Sequence, residues 1–156
     1  MGLPSTRARA AQMAVARRVA QAHAQIHELL DHLAGDDAAL GRTRQMLEDL
    51  PVMLEKHFED EEQNGGLFDT LRALRPGVDR ELETLVHEHR SILAALENLE
   101  GYLDRLDRSE DAAERQRQVA RLRGETDLVA RRIRQHERAE SRLTADILYA
   151  EEGGSG

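Results

Sequence analysis

Apolar residues recur at steps of three and four along four long stretches of this chain, a period that predicts α-helices packed through one face. The first stripe runs Val15, Val19, Ala22, Ile26, Leu29, Leu30 and Leu33. Pro4 and Ser5 can start that helix, with Ser5 as its cap, and Gly35 followed by Asp36-Asp37 can end it. A second helix is predicted over residues 37–75, through Leu40, Thr43, Leu47, Leu50, Leu54, His57, Glu61, Asn64, Phe68 and Leu71. Pro51 should kink it by deleting a backbone hydrogen bond, and Gly65-Gly66 should loosen it just past Glu61. Arg75-Pro76-Gly77 reads as a turn.

The third helix should begin near Val78 and carry Leu82, Leu85, Val86, His89, Ile92, Leu93, Leu96, Leu99 and Leu103. Residues 107–115 are polar enough to form a connection or a frayed end. The last stripe bears Val119, Leu122, Thr126, Val129, Ile133, His136, Glu140, Leu143 and Ile147. The expected fold class is all-α, an up-down-up-down antiparallel four-helix bundle over residues 5–150, followed by a tail at 151–156 that is flexible by composition.

Polar residues interrupt these stripes in a repeated way. His57-x-x-x-Glu61 and His136-x-x-x-Glu140 each put an imidazole and a carboxylate on one helical face, about 6 Å apart along the axis. His89 falls on the third stripe, whereas His87, about 200° away, must face elsewhere. On the first helix His23 lies about 60° from Ile26 and is the best inward candidate; His27 is about 100° away, and His32 about 120° on the other side. His27 is left open between a ligand, a hydrogen bond behind one and a structural role; His32 and His87 read as surface residues.

The two halves of the chain echo each other, since a helix with one inward His precedes a helix with His-x-x-x-Glu in both. Six buried polar groups left unsatisfied would cost about 6–18 kcal/mol at roughly 1–3 kcal/mol each, as much as the whole stability of a domain. Something must satisfy them together. Direct His–Glu hydrogen bonds could do part of this; metal ions would do it more completely, and the nitrogen and oxygen donors suit iron, manganese or zinc. The candidate metal ligands are therefore His23, His57, Glu61, His89, His136 and Glu140, with Asp60 as a weaker alternative and the rest of Glu59-Asp60-Glu61-Glu62 as a solvated face.

Composition narrows the function. The chain has 156 residues, 40% hydrophobic and only 3% aromatic, which fits one domain of helices packed through aliphatic side chains. A net charge of -8 argues against nucleic acid as a partner, and Arg7, Arg9, Arg17 and Arg18 read as a solvated face. Without cysteine there is no disulfide, thiolate metal site or cysteine nucleophile. No apolar run approaches a signal peptide or a membrane span, so no membrane partner and a cytoplasmic location are expected.

From His57-Phe58-x-x-Glu61-Glu62, Glu88-His89-Arg90 with its trailing aliphatics, and His136-Glu137-x-x-Glu140, the sequence resembles the hemerythrin-like, or hemerythrin HHE cation-binding, family over roughly residues 15–150. Ferritin-like di-iron bundles differ, using Glu-x-x-His at a spacing of three. The resemblance implies a four-helix bundle with two iron ions, oxo- or hydroxo-bridged, that binds dioxygen, peroxide or nitric oxide. Carried over by position, it implies His23 and His57 on one iron, His89 and His136 on the other, and Glu61 and Glu140 bridging.

The chain departs from the respiratory oxygen carriers of that family where they carry His-x-x-x-His, since Leu85 stands one turn before His89. It departs again where they place an aspartate five residues after a His, because Glu140 follows His136 at four. One imidazole fewer leaves an open coordination position and favours sensing, storage or detoxification, with catalase- or peroxidase-like turnover, over pure carriage. An iron-dependent sensor or interaction module without turnover, responding near Gly65-Gly66, and a metal-free structural bundle are the alternatives. Family members that repair iron–sulfur clusters carry a cysteine-bearing domain that this chain lacks.

Overall fold

A computed structural model describes residues 6–33 and 40–153, and among these every regular element is an α-helix. The helices are α1 (Thr6–Leu33), α2 (Leu40–Glu62), α3 (Leu67–Leu74), α4 (Asp79–Arg108) and α5 (Ala112–Gly153). The proposed cap Ser5, the stop at Gly35 to Asp37 and tail residues 154–156 lie outside the described residues. No helix among the described residues is long and apolar enough to cross a membrane.

The four apolar stripes form four long helices, with one difference. The expected helix over 37–75 is two, because the chain turns at residues 63–66. Gly65 adopts a positive φ of 77°, which residues with a side chain disfavour. Gly66 packs so closely on the preceding turn that a Cβ there would collide with the carbonyl oxygens of Asp60 and Glu61. The Gly65 N–H donates to Asp69 Oδ2 at 2.9 Å, tying the turn to the first turn of α3. Asn64, expected on the stripe, is exposed as a result. Helix α2 is continuous through Pro51, and the connection predicted over 107–115 shrinks to Ser109–Asp111.

Helix α5 packs against α1, α3 and α4, and α2 against α1, α3 and α4. The core of this helical bundle falls into two apolar clusters. One gathers Ile26, Leu50, Leu54, Phe58, Ile92, Leu96 and Ile133; the other gathers Leu67, Phe68, Leu71, Leu82, Leu85 and Ile147, with Val19 packed against it. On each long helix the chain passes from one cluster to the other through a buried polar residue. These residues are His23 between Val19 and Ile26, His57 and Glu61 between Leu54 and Leu67, His89 between Leu85 and Ile92, and His136 and Glu140 between Ile133 and Ile147. The polar groups thus form a layer between two apolar ones.

Candidate metal centre

All six sequence-derived candidates meet in this layer, and every one is at least nine-tenths buried. One group comprises His23, His57, Glu61 and Glu140, and a second comprises His89, His136 and Glu140; within each, one donor atom per residue lies within 4.8 Å of the others. Glu140 is common to both. Its oxygens lie 3.0 Å from His23 Nε2, 3.3 Å from His136 Nε2 and 3.7 Å from His89 Nε2. Glu61 Oε1 lies 3.2 Å from His57 Nε2 and 3.5 Å from His89 Nε2.

The helical spacing explains the inward aim. His57 with Glu61, and His136 with Glu140, stand one turn apart on faces that the flanking apolar residues carry into the core. The imidazoles pack edge to face in two pairs, His23 with His57 at 5.0 Å between centroids and His89 with His136 at 4.7 Å. Despite their proximity, none of the four Nε2 atoms and none of the Glu61 or Glu140 oxygens has hydrogen-bond geometry to a partner. Buried polar atoms that converge without bonding to one another suit a cation at their centre. Imidazole nitrogen and carboxylate oxygen are donors that iron, zinc and manganese accept.

The layer is electrostatically tense without a cation. Burial pushes the His57 pKa down to about 4, and the other three imidazoles push the same way, with Glu140 opposing. Burial and the facing Glu140 push the Glu61 carboxyl up. Burial alone would raise Glu140 too, but the close approach of Glu61, His136, His23 and His89 outweighs it and holds Glu140 well below the usual carboxylate range. Burial likewise works against charge on His136, yet Glu140 and Glu88 outweigh it and raise its pKa.

Three carboxylates at the layer were not picked out from the pattern. Glu137 is 3% exposed, and burial first of all pushes its pKa up to about 7. Its signal was present: Thr126, Ala130, Ile133, Glu137, Glu140, Thr144 and Ile147 form an alternating four-and-three series beside the stripe already named. Glu62 and Glu88 lie on partly exposed faces but accept hydrogen bonds from the Nδ1–H groups of His89, at 2.9 Å, and His136, at 2.5 Å. On the other half, the Ser141 hydroxyl lies 3.4 Å from His23 Nδ1.

His87 is exposed, as expected. Asp60 is exposed and in neither donor group; the side chains of His27 and His32 lie outside the described residues. A cavity of about 180 Å³ between α1 and the end of α2 is lined by Arg18, Ala22, His57, Asp60, Glu61 and Gly66, and so reaches the polar layer. On the opposite side Phe58 stacks on His89, 3.8 Å between centroids and 7° from parallel.

No curated protein and no solved structure matches the chain. A model of the hemerythrin HHE cation binding domain matches residues 14–143, a span that includes every residue of the two donor groups. The chain therefore belongs to the hemerythrin HHE cation-binding domain family.

Proposed function

We propose that this chain holds two iron ions in its polar layer and there binds or reacts with dioxygen, peroxide or nitric oxide, sensing, storing or detoxifying them in the cytoplasm. His23 and His57 would hold one ion, His89 and His136 the other, with Glu61 and Glu140 shared. The observation that carries this reading is the convergence of four Nε2 atoms and two carboxyl groups, all buried and none hydrogen-bonded, in two adjacent groups joined by Glu140. Bound iron would supply reversible one-electron chemistry and affinity for small oxygen and nitrogen ligands.

The protein's own residues supply access and exclusion. The cavity beside Arg18, Ala22 and Gly66 admits a molecule of a few atoms to the His57 and Glu61 side. Phe58 covers one face of the His89 ring, and Leu85 and Ile92, both buried, flank His89 along α4. An accessible face suits turnover better than protected carriage, so catalase- or peroxidase-like activity is the enzymatic form of this reading. We read the bundle as one domain over residues 5–150 with up-down-up-down antiparallel topology, α2 and α3 together making the second leg. The packing of α1 on α2, α2 on α4, α4 on α5 and α5 on α1 supports that arrangement.

Metal analysis of anaerobically purified protein, with an absorption spectrum on admitting air, tests the proposal. Two iron ions per chain and ferric bands in the near ultraviolet and visible are expected. His57→Ala or Glu140→Ala should release at least one ion and lower the Tm, while His87→Ala should leave metal content alone. A metal-free preparation that takes up no iron, or equal loss in all three variants, would overturn it.

A further inference from the structure

The two halves of the polar layer differ in what stands behind their imidazoles. Glu62 reaches from α2 to His89 on α4, and Glu88 reaches from α4 to His136 on α5, each accepting from Nδ1–H. At His23 Nδ1 there is instead the neutral hydroxyl of Ser141, 3.4 Å away, while the buried Glu137 bears on His23 through its charge. The His89 ring is also held flat by both phenylalanines of the chain, Phe58 at 3.8 Å and Phe68 at 5.7 Å, within 16° of parallel. Sequence adjacency makes this arrangement: Glu62 follows the inward Glu61, and Glu88 precedes the inward His89, so each sits about 100° round its helix and meets the next one.

A carboxylate that accepts from Nδ1–H fixes the imidazole tautomer, leaves the lone pair on Nε2, and makes that nitrogen a stronger donor. We propose that Glu62 and Glu88 are positioning residues for the cation held by His89 and His136, and that they make this the more tightly binding of two unequal positions. The inference rests on the two-cation reading above. Glu62 and Glu88 keep 35% and 38% of their side-chain surface exposed, so removing them leaves no hole in the core.

The test is a stepwise titration of the metal-free full chain with ferrous iron under argon, comparing wild type with Glu62→Ala, Glu88→Ala and the corresponding Gln variants. In each Ala variant the tighter binding step should weaken by about 10–100-fold while the looser one holds. The Gln variants keep an acceptor but lose its charge, so they should fall between. Unchanged steps, or equal weakening of both, would overturn the proposal.

A second readout needs no metal. Nitrogen NMR of the metal-free protein in alkaline buffer should show His89 and His136 with the proton on Nδ1, and Glu62→Ala and Glu88→Ala should each move their own partner toward the Nε2–H form. Unmoved tautomers would overturn the positioning role. If wild type binds fewer than two ions while the tautomers move as expected, the two-cation reading fails and the positioning role stands.

Discussion

Glu61 and Glu140 face each other inside the polar layer with opposite proton affinities, Glu61 pushed up by burial and its neighbour, Glu140 held down by the imidazoles around it. Two adjacent buried carboxylates do not both ionise, so without a cation the pair keeps one proton. A bound cation would replace that proton, because metal ligation requires carboxylate oxygens free of it.

Glu61→Gln should therefore stabilise the metal-free protein while weakening metal uptake. The folded pKa of Glu61 lies above its unfolded value of 4.5, so its contribution is complete below that pH and is lost as pH rises. The loss accrues at about 1.4 kcal/mol per pH unit, and the neutral amide of Gln escapes it. Urea unfolding of metal-free wild type and variant should diverge increasingly from pH 6 to pH 8, by about 1–3 kcal/mol in favour of the variant. A constant difference across that range would count against the protonated pair.

His57 sets the acid side. Its folded pKa of about 4 lies below its ordinary 6.5, so the unfolded chain takes up a proton first on acidification. Stability from this group is full above pH 6.5 and falls between pH 6.5 and 4, by up to about 3 kcal/mol. Metal-free His57→Gln should show a shallower decline over that window in pH-dependent unfolding, and parallel curves would contradict the assignment.

Phe58 joins the apolar cluster to the polar layer, being 3% exposed and packed on the rings of His57, His89 and His136. Phe58→Ala should cost about 3–5 kcal/mol in unfolding free energy, because the removed ring leaves a cavity that these imidazoles cannot fill without leaving the layer. Phe58→Leu retains most of the volume and should cost less than half as much. A loss under about 1 kcal/mol in Phe58→Ala would mean that the site collapses freely around the gap.

Four long helices, apart from the break of the second at residues 63–66, and the inward aim of His57, Glu61, His89, His136 and Glu140 are legible in the order of residues alone. Periodicity and four-residue spacing act within one helix, and an apolar flank tells which face is buried. That order also pointed to His23, although from a position off the centre of its stripe. What neighbouring helices do to one another was decided only in three dimensions. Glu62 belongs to a face that reads as solvated and Glu88 stands off the third apolar stripe, yet α4 and α5 pass close enough to bring His89 and His136 to them. Glu137 is buried because α5 is covered by α1, α3 and α4, a wider arc than one apolar stripe announces. Gly66 ends α2 beside Glu61 because its own backbone packs against the turn that carries this carboxylate. Local spacing selects which side chains point inward; packing between helices selects which others reach them, since that depends on distances that no single helix contains.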